Sequence, residues 1–172
     1  MRWPGFGPGG TLVLPLPESE ARVVHAAHVT LDGVRFDAKP ELHVTVVGRA
    51  LGARLAMSIA GGRFTAQDVA QRFDALDWSY APTDAWVWLR KAKDGVVAES
   101  LIELIDMPAM PVFHFALARL LGDVLAPPPP HVTHFVRGDP EGIGVPDEAT
   151  LRAATVRLVA REELPGQARG EA

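Results

Sequence analysis

The chain has 172 residues, 48% of them hydrophobic and 22% charged, enough apolar material for one buried core and too little charge for a disordered chain. Seventeen basic against twenty-one acidic side chains leave a net charge of −4, which argues against a grip on extended RNA or DNA and allows a short nucleotide end. Cysteine is absent and no apolar run approaches about 18 residues, so disulfides, thiolate chemistry, cysteine-held metal and a membrane span are not expected.

Residues 1–10 (MRWPGFGPGG) hold too much glycine and proline for a lasting regular element and read as a flexible arm. They lack the apolar core and cleavage site of a signal peptide, so a cytoplasmic protein is expected. Thr11–Leu16 is a short strand closed by Pro15 and Pro17. Val23–Leu31 is rich in β-branched residues, although a helix starting at Glu18 would take part of it. Asp32-Gly33 is a turn signal before Val34–Phe36, and Pro40 sets off a strand over Leu42–Val47. Residues 50–60 and 66–76 carry helical spacing, the second with Thr65 as its N-cap.

The second half echoes the first. Asp84–Lys91 alternates as a strand, Lys93-Asp94-Gly95 turns, and Val97–Ile105 is the next strand. Residues 109–122 form an amphipathic helix ended by Gly122. Pro127–Pro130 is a stiff spacer leading into a strand over His131–Arg137. A glycine-containing loop covers Gly138–Pro146, Ala154–Arg161 is a last strand, and residues 165–172 fray. The expectation is an α+β fold, with residues 11–164 forming one domain of two similar halves.

His43-Val44-Thr45 and His131-Val132-Thr133 are the same tripeptide, 88 positions apart, each at the start of a predicted strand. Both extend to His-Val-Thr-x-apolar-x-Arg, ending in Arg49 and Arg137. A third copy at His28 has Val34 in place of the arginine and is set aside. Alternation along a strand sends His43, Thr45 and Val47 one way, and likewise His131, Thr133, Phe135 and Arg137. Two histidines brought together can share a proton transfer, one accepting from the attacking hydroxyl and one donating to the leaving oxygen. Thr45 and Thr133 supply hydroxyl donors for the non-bridging oxygens of a phosphate. Such a set processes a strained cyclic phosphate without metal or other cofactor.

At these residues the chain resembles the two-histidine phosphoesterase superfamily, whose signature is a pair of His-x-Thr motifs about half a small domain apart. That group includes cyclic nucleotide phosphodiesterases and bacterial proteins named for RNA 2′,5′-ligase activity. Leu42-His43-Val44-Thr45-Val46-Val47-Gly48 is similar to the first motif and Pro129-Pro130-His131-Val132-Thr133-His134-Phe135 to the second. The resemblance spans about residues 10–160. It implies two pseudo-symmetric halves, with antiparallel sheets around a central cleft and helices outside. It also implies acid and base roles for His43 and His131 and phosphate contacts for Thr45 and Thr133. One position departs, since His134 stands where the family has an apolar residue; strand alternation turns it away from the site.

Other candidates each have an ordinary reading beside them. Arg137 either steadies a phosphate or is a solvated arginine, and Arg49 follows a glycine that breaks its strand. Gly142-Ile143-Gly144 either offers N–H groups to an anion or simply turns. Trp86, Trp88 and Arg90 share one strand parity. If Val87 and Leu89 face the helices, Trp88 can stack on a base with Arg90 nearby; otherwise the tryptophans form a second hydrophobic layer. His25/His28 and His131/His134 are spaced by three, which on a strand separates them and disfavours a metal site. His114 reads as structural.

The reading is a monomeric, metal-independent phosphoesterase for the 2′,3′-cyclic phosphate ends of nucleotides or short RNA. RNA 2′,5′-ligation is the same chemistry with an RNA hydroxyl in place of water. The rivals are a binding protein of the same fold without turnover and a metal-dependent hydrolase on the clustered histidines.

Overall fold

The alternating runs on either side of Gly95 build the longest strand pair. β5 (Ala81–Lys93) and β6 (Val96–Asp106) lie antiparallel, with Val87 opposite Ile102 and Arg90 opposite Glu99. Gly95 closes their connection at φ +79°, a left-handed value that costs glycine little. This computed structural model describes residues 1–16, 26–93 and 95–164. The other strands are β1 (Leu12–Pro15), β2 (His28–Leu31), β3 (Val34–Ala38), β4 (His43–Val47), β7 (His131–Arg137) and β8 (Thr155–Val159). Together they make one open antiparallel sheet of eight strands, whose main path runs β1-β4-β7-β6-β5-β8.

One edge of β7 is shared between two partners. Near its start Val132 pairs with Val44 of β4, and near its end Phe135 and Val136 pair with Ala38 and Asp37 of β3. The β2–β3 hairpin joins the sheet only through this second contact. Lys39 sits at the fork, its backbone N–H donating to the His134 carbonyl at 2.8 Å.

Three helices cover one face: α1 (Arg49–Ala60), α2 (Ala66–Asp74) and α3 (Ala109–Leu121). Thr65 starts α2 as expected, accepting the Asp68 N–H at 3.2 Å while Asp68 accepts the Thr65 N–H at 2.7 Å. Leu55, Val69, Phe73 and Phe113 from these helices pack on Val44, Val46 and Val132. Farther along the same face, Trp86, Trp88, Leu101 and Phe135 pack with Phe36 of the hairpin. The opposite face carries Val87, Leu89 and Ile102, covered by Ile143 and Val145 of the loop after β7 and by α4 (Glu148–Ala154).

Two expectations change. Residues 1–10 are not a free arm: Trp3 packs edge-on against Phe6 and Phe73, at 5.0 and 5.3 Å between ring centroids, and its backbone N–H donates to the Asp74 carboxylate. Gly10 and Gly52 also bring the backbones of this segment and α1 into contact; a side chain at either position would run into the other backbone. The aromatic area outweighs the glycine and proline of the segment. Helix α4 fills the unassigned stretch between the expected loop and the expected last strand, with Asp147 capping it by accepting the Thr150 N–H at 2.6 Å. The strand itself, β8, begins at Thr155 rather than at the expected Ala154. The possible helix at Glu18, His25, the Asp94 turn position and the tail 165–172 lie outside the described residues. Among the described residues no helix is long and apolar enough to cross a membrane.

His114 of α3 is 3% exposed and its Nε2–H donates to the Val46 carbonyl of β4 at 2.8 Å. Burial, opposed by that hydrogen bond, holds its pKa below the ordinary 6.5. The unfolded chain therefore binds a proton that the folded chain resists, so stability is full above about pH 6.5 and falls as the pH drops below it. Urea unfolding followed from about pH 7.5 to about pH 5 should register that fall. His114→Gln, which keeps an N–H for Val46, should make the fall shallower; an unchanged slope would remove His114 from the titration.

Candidate functional site

One backbone pair makes neighbours of motifs 88 positions apart. Val44 lies opposite Val132, and both are buried beneath α1–α3. Directly opposed residues of antiparallel strands share a face, and successive residues alternate. One step to either side therefore sets His43 across from Thr133 and Thr45 across from His131, all four on the face turned away from α1–α3. The register extends these pairs into two rows. Pro15, His43, Thr133, Ile102 and Val87 form one; Val13, Thr45, His131, Leu104 and Ala85 form the other. His43, Thr45, His131 and Thr133 are each half-buried, open to a ligand yet held by the sheet.

The two imidazoles are electrostatically coupled. His131 Nδ1–H donates to the Pro129 carbonyl at 2.8 Å, which leaves Nε2 as the lone-pair nitrogen of the neutral ring. Burial lowers the His131 pKa below 6.5, the Pro129 carbonyl opposes this, and the charge of His43 lowers it further. For His43, burial and then Lys39 lower the pKa, while the Glu41 and Glu141 carboxylates pull upward. Both rings are thus mainly neutral near pH 7, and a proton added to one disfavours a proton on the other.

The loop after β7 folds back along this face. Gly142, at φ +81°, lies so near that a Cβ there would stand 3.2 Å from Thr133 Cγ2 and 3.3 Å from Ser100 Oγ. Ser100, fully buried, accepts the Ile143 N–H at 2.9 Å, and the Gly142 N–H goes to the Asp139 carbonyl at 3.1 Å. One of these N–H groups is thus committed to β6 and the other within the loop, so neither is turned to an anion and the turn reading fits them better than the cradle. Glu141 instead reaches Arg49 at the start of α1, 3.2 Å away, and Lys39 Nζ donates to the carbonyls of Pro140 and Glu141 at 3.1 and 3.3 Å. No motif marks Lys39, Glu41, Glu141 or Ser100. The only signal for them was position, just before the first histidine, within the glycine-containing loop, or on a predicted strand.

Three expected contacts move to the other face. The pairing of β6 with β7 shifts register between Leu101 and Ile102: Ile102 faces Thr133, but Leu101 faces Phe135, leaving His134 as an extra residue. Beyond this bulge the alternation is inverted, so Phe135 turns into the core with Trp88 and Leu101. Arg137 follows it and binds the buried Glu99 at 2.5 Å, away from the Thr133 row. Trp88 is 2% exposed, stands edge-on to Phe36 at 5.3 Å and donates its indole N–H to Glu99 at 3.2 Å. Arg90 binds the same carboxylate at 2.7 Å. Val87 and Leu89 lie on the histidine face under α4 and its loop, not against α1–α3, so Trp88 and Arg90 belong to the second hydrophobic layer and its polar edge on the other side. They do not form a stacking platform beside the histidines.

His134 points away from His131. It sits 3.2 Å from Glu103, and its ring centroid lies 4.6 Å from that of Trp86. Among the described residues no group of three or more His, Asp or Glu side chains is arranged to hold a metal ion.

Glu99 gathers three donors at full burial. Burial pushes its carboxyl pKa upward, but the hydrogen bonds from Arg90 and Arg137 prevail and hold it below the ordinary value. In Glu99→Ala the half-exposed arginines can return to water, whereas the Trp88 indole N–H cannot. The expected loss is about 1–3 kcal/mol in denaturant unfolding. Glu99→Gln, which keeps one acceptor, should lose less, and equal losses would point to packing alone. Comparison with protein-family models, with curated proteins and with solved structures finds no match for this chain.

Proposed function

We propose that this protein is a metal-independent phosphoesterase of the two-histidine kind, acting as a monomer in the cytoplasm on the 2′,3′-cyclic phosphate ends of nucleotides or short RNA. The observation that carries the reading is the Val44–Val132 register, which sets each motif histidine against the other motif's threonine on one half-buried face. In this reading the two halves are related about that pair, and the face between them is the substrate cleft.

His131, its Nδ1–H held by Pro129, presents Nε2 to take a proton from water as the water oxygen attacks phosphorus. Protonated His43 gives its proton to the ribose oxygen as the P–O bond of the ring breaks, leaving a phosphomonoester. Thr45 and Thr133 donate to the non-bridging oxygens, where negative charge grows in the transition state. Exchange with solvent then restores both protonation states. Net acidity supports a small substrate over a long nucleic acid.

Hydrolysis of the four nucleoside 2′,3′-cyclic phosphates in chelator tests this. His43→Ala and His131→Ala should each lower kcat by about 10²–10⁴-fold, and Thr45→Val or Thr133→Val by roughly 10²-fold. Turnover that survives both histidine replacements, or that requires added metal, would sink the proposal. Turnover needs one ring protonated and the other free, and both pKa values lie below 6.5. The rate should therefore follow a bell centred on the acidic side of that value. Lys39→Ala removes a cation that disfavours protonated His43, so the bell should move to higher pH.

A further inference from the structure

The two motif arginines have different fates. Arg137 is locked to Glu99, which is fully buried, on the far face of the sheet. Arg49 stays on the side of the loop that packs against Thr133, and its partner there is Glu141. Both side chains of that pair are more than three-quarters exposed, at 79% and 76%. A pair so open contributes about 0–1 kcal/mol, so a better anion can replace the carboxylate. Lys39 adds a second cation from the other end of β4; its Nζ rests on two backbone carbonyls and, among the described residues, is in no ion pair. Both cations reach the same loop residue, Glu141, from segments about 90 and 100 positions away, so the loop is tied across the edge of the histidine face. Glu41 is the other carboxylate near His43.

We propose that Arg49 and Lys39 form a second phosphate subsite beside His43, in which the Glu141 carboxylate stands in for the ligand. The site would then prefer ends that carry a further phosphate, such as the 5′-phosphodiester of a short RNA, over nucleosides with the cyclic phosphate alone. The planar guanidinium suits this role, because it takes two phosphate oxygens at once where Glu141 engages one nitrogen. The identity of the neighbouring, reacting phosphate rests on the phosphoesterase reading above. The preference for a second anion rests on Arg49, Lys39 and Glu141.

Calorimetric titration separates the two. The probes are adenosine 2′- and 3′-monophosphate against adenosine 2′,5′- and 3′,5′-bisphosphate at low salt. In the wild type the bisphosphate of at least one isomer should bind about tenfold tighter than its monophosphate. Arg49→Ala, at an exposed helix position where alanine is favourable, should abolish that advantage and leave monophosphate binding in place. Glu141→Gln, which frees the cations, should enlarge it. Equal affinities in the wild type, or an advantage that survives Arg49→Ala, would overturn the subsite. An Arg49-dependent advantage without hydrolysis of any cyclic phosphate would overturn only the phosphoesterase reading, and hydrolysis without the advantage would overturn only the subsite.

Discussion

The candidate site depends on one backbone register, that of Val44 against Val132. A slip by a single residue would exchange the faces of every side chain on the shifted strand, sending a histidine and a threonine into the core and a valine to the surface. Burial guards against this. Both valines lie against Leu55, Phe73 and Phe113, and burying a valine side chain stabilises by about 1.5–3 kcal/mol. The same apolar contacts that hold the helices on the sheet thus keep His43, Thr45, His131 and Thr133 on the opposite side.

β7 then divides its own length between two tasks. Its first three residues present alternate side chains to the site face and the core. The extra residue at His134 inverts that order, so Phe135 joins the tryptophan cluster and Arg137 meets Glu99. The bulge falls where β4 gives way to β3 as the strand's neighbour, and the Lys39 N–H takes the His134 carbonyl there. One inserted residue therefore decides which basic group borders the histidines. Arg137 leaves them, while Lys39 is placed beside them.

Electrostatics on the site face follows from partial burial. Desolvation keeps both imidazoles near neutrality, and their mutual repulsion favours a single shared proton. Around them the charges of Glu41, Arg49 and Glu141 are exposed and that of Lys39 is half-exposed, and they are supplied by segments far apart in the chain. On the core side the reverse holds: Glu99 is fully buried and anchored by three donors. The sheet thus carries a buried, fully paired polar group on its core side and loosely paired charges on its histidine side.

Much of this was legible in the residues. Thr65 before a helical period, Gly122 after one, Gly33 and Gly95 between alternating runs, and the repeated His-Val-Thr all act through local geometry, so the α+β class and most elements could be read directly. Alternation also turned His134 away from His131. What local chemistry cannot specify is which of two faces meets the core. Trp86 and Trp88 share a parity in either case, and only the packing of α1–α3 and the β2–β3 hairpin buried them. A bulge leaves no mark in a strand's composition, so alternation alone puts Phe135 and Arg137 on the wrong side. Trp3 and Phe6 look like loop residues until Phe73 is beside them, and the meeting of Lys39, Arg49 and Glu141 exists only because the sheet brings their segments together. Each of those outcomes is set by contacts between residues distant in the chain, and no window of sequence contains both partners.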